Sequence, residues 1–507
     1  MVDKVSPWLN GAGVVTRSRP DSVSTSAPSS GSLTRTLLIS GVLVVCSALA
    51  LQLTPNEWMW EGLRVTMLAL VLFASFYLPL GRPIPAYVIW FVMLISECIF
   101  FREGDVYSNA NAYAGKFPTA AYGEAVGWIL CFLAVLVCSV RARGYFRQLF
   151  EGDYKWVTLF ALLCVASCAY APRVSLGLTW GFKILLVSLL ILACSVRIHD
   201  LQDTLSFLRF TVWAYAIIVL QPVIIAAMRG EMFDEEGRMS TIVSPNALSP
   251  NAAIVLLMAL TLYSSRRGEG MKKSAVFLGL VGLVVMILAG SKTGVLACVF
   301  AGTLFFILRG RLGTAFTYIA GTAALAVMLV LTTPLSDYLH LYQDRAGAES
   351  FSGRTLLWGA VMPEIKHKVI LGHGYMSTEF LMFQVNAVGW AAPHLHNGFL
   401  EALYSTGAVG FLLLLMILFV IPRNLCRVMR KASKDDAVYR LAAGCFALYA
   451  FLVINGVFNS SFGGKCTPPF MVLLALVVVS QKLWQIATSQ SPANGGFTRL
   501  DAGTVRV

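Results

Sequence analysis

The sequence has 507 residues, of which 57% are hydrophobic and only 13% charged, with a mean hydropathy of +0.72. Soluble domains carry about 25% charged residues, so a soluble globular chain is excluded. The net charge of +13 would suit a nucleic-acid partner, but the basic residues are scattered between apolar runs long enough to cross a membrane; the partner these features select is a lipid bilayer, not nucleic acid.

The chain opens on a stretch rich in Ser, Gly, Pro and Thr, with Arg17, Arg19 and Arg35 and no apolar core that would make it a cleavable signal. Residues 1–35 therefore read as a disordered cytoplasmic tail. Apolar runs then predict transmembrane helices at 36–53, 63–80, 84–101, 123–140, 156–171, 178–196, 210–228, 250–264, 275–290, 295–308 and 313–333. Each is close to the roughly 20 residues that span the hydrocarbon core. Residues 334–402 form one long connection, which at that length is uncommon as a mere linker. Runs at 403–422, 441–457 and 467–485 follow, and 487–507 read as a second cytoplasmic tail. The expected fold is all-α: a polytopic integral membrane protein of about 14 transmembrane helices, helices 1–11 within 36–333 and helices 12–14 within 403–486, with a long, partly helical outer loop.

Orientation follows from the lysines and arginines, which favour cytoplasmic loops. Arg141, Arg143 and Arg147, then Arg266, Arg267, Lys272 and Lys273, then Arg309 and Arg311, and finally the basic stretch 423–440 all fall on one side of the predicted topology. Placing them inside makes both termini cytoplasmic and the 334–402 loop extracytoplasmic, as in a multi-pass protein of a cell inner membrane. Most of the eleven cysteines lie within apolar runs, where cysteine behaves as a small hydrophobe. No Cys-x-x-Cys pair occurs, so neither a disulfide framework nor a zinc site is expected.

Five of the six histidines (His340, His367, His373, His394 and His396) fall in the long loop. The densest segment is Pro393-His394-Leu395-His396-Asn397-Gly398-Phe399-Leu400-Glu401, with Gly407 and Gly410 ahead of an apolar helix. His396-Asn397 followed by Gly407-x-x-Gly410 resembles the signature of the O-antigen ligase and polymerase family, membrane glycosyltransferases that use polyprenyl-diphosphate-linked sugars. Ser352-Gly353-Arg354-x-x-x-Trp358 and Leu371-Gly372-x-Gly374 are similar to that family's long loop. Ser291-Lys292-Thr293-Gly294 resembles its Ser-Arg-Thr element, with lysine in place of arginine, and Ser244-Pro245-Asn246 its Pro-Asn element. The resemblance spans roughly 240–420.

What the resemblance implies can be checked against chemistry. Glycan transfer from a lipid diphosphate needs a base for the acceptor hydroxyl and cations for the departing diphosphate. Histidine, with an ordinary pKa near ~6.5, suits the first role. Arginine suits the second, because its planar fork matches phosphate oxygens. His396 is thus the expected base and Arg354 the expected diphosphate clamp. Lys292, His394, Asn397, Arg345 and Trp358 are expected to bind substrate. The resemblance implies a reaction without a metal or other cofactor.

Plainer readings stand beside these. His396 can serve as a cap for the next helix, His394 and His396 can bind a metal with Glu401, and Arg354 can be an ordinary ion pair. Lys292 can snorkel to an interface, and Gly407 and Gly410 can simply admit close helix packing. Leu357, Trp358, Val361 and Ile365 share one helical face, suited either to the membrane surface or to packing on the bundle. Glu97 and Lys183 fall near the outer ends of their predicted spans. The expected function is extracytoplasmic glycosyl transfer from a polyprenyl-diphosphate-linked glycan to a glycan acceptor, polymerising a surface polysaccharide. The alternatives are ligation of the glycan to lipid A-core and, in another class, secondary transport, which the long loop and the scarcity of mid-membrane charge disfavour.

Overall fold

The computed structural model describes residues 83–99, 145–230, 232–233, 238–239, 244–265, 269–332, 354–378 and 394–489. These residues are helical throughout apart from turns and one isolated antiparallel bridge, Phe233 with Met239. The helices are α1 (Pro83–Ile99), α2 (Lys155–Ser167), α3 (Val174–Val196), α4 (Leu201–Arg229), α5 (Pro245–Ser265), α6 (Glu269–Leu288), α7 (Lys292–Leu308), α8 (Leu312–Thr332), α9 (Arg354–His367), α10 (Gly398–Lys431), α11 (Ala437–Phe458) and α12 (Pro468–Ser489). Short turns of helix at Tyr145–Gln148 and Cys168–Tyr170 flank α2.

The protein is an all-α, multi-pass membrane protein. Among the described residues, seven helices (α3, α4, α5, α8, α10, α11 and α12) are long and apolar enough to cross a bilayer, and α1, α2 and α7 are shorter apolar helices. Eleven of the expected spans coincide with α1–α8 and α10–α12, most of the helices running several residues beyond the apolar run. The extension is physical: an apolar run marks the lipid-facing middle, whereas the helix continues until a capping residue stops it. Asp200 caps α4 by accepting the Asp203 N–H at 2.7 Å, and Asp436 caps α11 through the Val438 N–H at 3.1 Å. The expected spans 36–53, 63–80 and 123–140 lie outside the described residues, as do 1–35 and 490–507; the first three residues of the expected 487–507 tail are instead the end of α12.

The bundle is built around α10, α11 and α12. Helix α10 packs on α11, α12 and α2, α11 on α5 and α7, and α3 on α1, α2 and α12. Small residues set the closest approaches, as expected where lipid supplies no hydrophobic drive between helices. A Cβ at Gly282 on α6 would come within 2.7 Å of the Ala252 carbonyl on α5. The outward faces are apolar: Leu296, Phe316 and Leu331 are 69%, 72% and 78% exposed. In water such a surface would aggregate; against lipid tails it is neutral.

The helix ends sort by charge. Arg423 on α10 meets Asp153, just before α2, and the Tyr439 hydroxyl at the start of α11 donates to the Leu308 carbonyl at the end of α7 at 2.7 Å. One end of the bundle therefore collects Arg147, Arg309, Arg311 and the basic run 423–440. Because α7 and α11 run antiparallel, Lys292 lies at the other end with the 459–467 loop and the start of α10.

Candidate functional site

Helix α10 is not one helix in its backbone. Gly407 takes φ 65°, ψ −167°, breaking it nine residues after it starts. A break inside a bundle frees backbone groups that need partners. The 369–374 segment supplies them. The Tyr404 and Ser405 carbonyls accept the His373 and Gly374 N–H groups at 2.9 Å each, and the Ala408 N–H donates to the Val369 carbonyl at 2.7 Å. The fit leaves no room for side chains: a Cβ on Gly407 would lie 2.3 Å from the Ile370 oxygen, and one on Gly372 (φ 70°) 2.5 Å from the Gly407 nitrogen. Leu371-Gly372-x-Gly374 and Gly407-x-x-Gly410, far apart in sequence, are the two halves of one backbone junction.

That junction places α9 against the first half of α10. Leu357, Val361 and Ile365 of α9 form a core cluster with Leu395 and Tyr404, flanked by Trp358, Leu400 and Leu403. The apolar face of α9 therefore packs on the bundle. Leu395 is fully buried in this cluster. Its two neighbours are turned away from the core, and the rings of His394 and His396 stand 4.3 Å apart. His396 sits at φ 51°, a left-handed conformation that histidine adopts more readily than most side chains but rarely without cause.

The cap of α10 is Asn397, whose side-chain oxygen accepts the Phe399 and Leu400 N–H groups at 3.0 Å each. His396 is thereby spared the capping role. Trp358 donates its indole N–H to the Leu395 carbonyl at 2.9 Å, so it holds the histidine segment in place. His373 stacks on Tyr404 at 4.3 Å, and its Nε2 lies 3.0 Å from the Glu364 carbonyl oxygen, a fixed structural position.

Two cations act on the imidazoles. Burial first, and then the Arg354 guanidinium, push His396 down to about 4. Burial, the neighbouring His396, Lys465 and Arg354 together push His394 down to about 3. Both rings are neutral near pH 7, the state a proton acceptor requires. Arg354 is the first residue of α9 and Lys465 arrives from the loop between α11 and α12.

Lys465 is absent from the residues singled out by sequence. The only signal for it is a lone basic residue in the short polar stretch Ser460-Ser461-Phe462-Gly463-Gly464-Lys465. Its ammonium stands 5.7 Å from the centre of the Trp180 ring, which also carries Lys183 at 4.7 Å. Lys183 is fully buried, ten residues into α3 and thus about 14 Å from its start at 1.5 Å per residue, deeper than the outer end its apolar run suggested.

The structure brings together His396, His394, Arg354, Asn397 and Trp358. Lys292 opens α7 beside α5, where a Cβ on Gly294 would lie 2.6 Å from the Ser249 hydroxyl. The Ser291 and Ser244-Pro245-Asn246 elements are therefore neighbours of each other, at the same end of the bundle as the histidines. Arg345 lies outside the described residues, and so does the side chain of Glu97. Among the described residues no three His, Cys, Asp or Glu side chains are grouped to hold a metal.

A scan of family models matches residues 274–415 to the model described as O-antigen ligase. A search of curated proteins finds no match. The matched segment contains Lys292, Arg354, His394, His396 and both halves of the Gly407 junction; Lys183 and Lys465 lie beyond it.

Proposed function

We propose that this membrane protein, whose residues 274–415 match the family model described as O-antigen ligase, transfers a glycan from a polyprenyl diphosphate to a sugar hydroxyl, with His396 as base. The observation that carries this reading is a pair of neutral imidazoles set beside Arg354 and Lys465. In the step proposed, an acceptor hydroxyl gives its proton to the His396 ring nitrogen. The oxygen attacks the anomeric carbon, and the bond from that carbon to the diphosphate oxygen breaks. The diphosphate leaves with the bonding electrons, and Arg354 and Lys465 offset its growing charge.

The depressed basicity of His396 fits this order of events. A bound diphosphate introduces negative charge near a ring that Arg354 otherwise holds neutral, and negative charge raises an imidazole's pKa. The base is thus unprotonated before substrate arrives and a better proton acceptor once it is in place. The charge sorting of the helix ends supports a cytoplasmic basic end and an extracytoplasmic site.

Polymerisation is the reaction we favour, because its acceptor carries a second diphosphate and so calls for more cations than ligation to lipid A-core does. Lys465, from the loop between α11 and α12, supplements Arg354 in that respect. Lys366 and Lys368, by contrast, are about 18 Å or more along α9 from Arg354 and serve another surface. The test is the surface glycan of a host lacking the gene. Single repeat units without long chains are the expected result; long chains stranded on the polyprenyl carrier, with none on lipid A-core, would make the protein a ligase.

A further inference from the structure

Glu401 has no part in the step above, yet it is 2% exposed and sits in the first turn of α10, directly behind the histidine segment. A carboxylate buried to that degree is costly unless hydrogen bonds hold it. Its Oε1 accepts the Leu395 N–H at 3.0 Å and the Ser460 hydroxyl at 2.5 Å. Its Oε2 lies against Gly464, where a Cβ would come within 2.1 Å, so a larger residue there would displace the carboxylate. The Tyr375 hydroxyl donates to the Gly464 carbonyl and fixes the same loop from the other side.

Three segments meet on this one side chain. The Leu395 peptide is gripped at both ends, its N–H by Glu401 and its carbonyl by the Trp358 indole. The two rings that project from either side of Leu395 are His394 and His396. Ser460 and Gly464 belong to the loop that delivers Lys465. We infer that Glu401 is a positioning residue: it ties the histidine segment to the Lys465 loop and so sets base and cation in register. It acts through the Leu395 amide and the Ser460 hydroxyl, not by touching substrate.

The rate consequence rests on the proposed glycosyl transfer; the structural consequence does not, so the two are measured separately on the full-length protein in detergent. Diethyl pyrocarbonate modifies neutral imidazoles, and mass spectrometry reads each histidine, with exposed His199 at the opposite end as internal reference. In E401A, His394 and His396 should be modified about 10-fold faster than in the wild type, because the segment opens locally. In E401Q, whose amide oxygen still accepts both bonds, they should stay within about twofold. Transfer should fall about 10²-fold in E401A, the typical consequence of a misplaced reacting group, and be largely restored in E401Q.

Modification rates in E401A equal to wild type would overturn the inference, and so would E401Q behaving like E401A, which would make the charge itself the requirement. Should E401A fail to accumulate, W358F removes only the donor on the other side of the Leu395 peptide. It must expose the same two histidines, and unchanged rates there would equally overturn the inference. A wild-type protein that transfers no glycan would defeat the proposed function, while the modification pattern would still decide the role of Glu401.

Discussion

The two ends of α10 handle an arginine in opposite ways. At the basic end, one nitrogen of Arg423 lies 2.6 Å from each oxygen of Asp153, and the Asn424 amide donates to the same carboxylate at 2.7 Å. Charge is matched there by charge, and the cluster ties α10 to the segment before α2. At the other end Arg354 and Lys465 bear on two imidazoles that burial and those same cations hold neutral. An arginine matched to a carboxylate fastens helices together. At the start of α10, Arg354 of α9 and Lys465 add positive charge beside two neutral rings, which suits an anionic ligand.

If that contrast is right, substitutions at the two ends should separate rate from stability. The largest effect is expected for His396→Ala, with transfer reduced by roughly 10²–10⁴-fold, the usual contribution of a general base, and membrane insertion unchanged. His394→Ala should be milder, and equal losses at both positions would mean that the two rings act as one unit. Arg354→Lys and Lys465→Ala should each lower transfer about 10–10²-fold, since a point charge cannot reproduce the guanidinium fork and the diphosphate loses part of its compensation. Near-wild-type kcat for both would dissolve the comparison. Gly407→Ala should cost at least about 2 kcal/mol of stability, from the left-handed backbone and the overlap with Ile370, read as a lower Tm in detergent. Arg423→Ala should cost about 1–2 kcal/mol for the partly buried charged hydrogen bonds while leaving kcat within twofold; a large loss of rate there would show that the basic end takes part in the chemistry.

The sequence carried the membrane architecture because lipid imposes one rule on every span, and apolar length alone reveals it. It also suggested His396 and Arg354 as partners, through the resemblance of their two motifs to those of one family. Three features stayed out of reach for a common reason, that each is made by residues distant in the chain. The break at Gly407 exists only because the 369–374 backbone enters it. Glu401 reads as a metal partner from its place one turn beyond the histidines, and only the fold shows it committed to the Leu395 N–H and Ser460 hydroxyl. Lys465 sits in a nine-residue turn with no motif around it, and its relation to His394 is a product of how α11 and α12 return to the start of α10. Asn397 illustrates the converse: its capping role is local, fixed by the residues immediately after it, and legible in principle from Asn-Gly ahead of an apolar helix.

The most direct test is the pH dependence of kcat/KM for the reconstituted protein with a polyprenyl-diphosphate-linked repeat unit. A base must be neutral to act, so protonation at low pH abolishes the rate, and a depressed pKa moves that loss to lower pH. With His396 pushed down to about 4, kcat/KM should hold steady below the usual ~6.5 of histidine and fall only as the pH drops through about 4. The acid limb of kcat should lie higher, because bound diphosphate raises the ring's basicity. A kcat/KM limb centred near ~6.5, or a profile that His396→Ala leaves unchanged, would contradict the account of a base kept neutral by its burial and its cation.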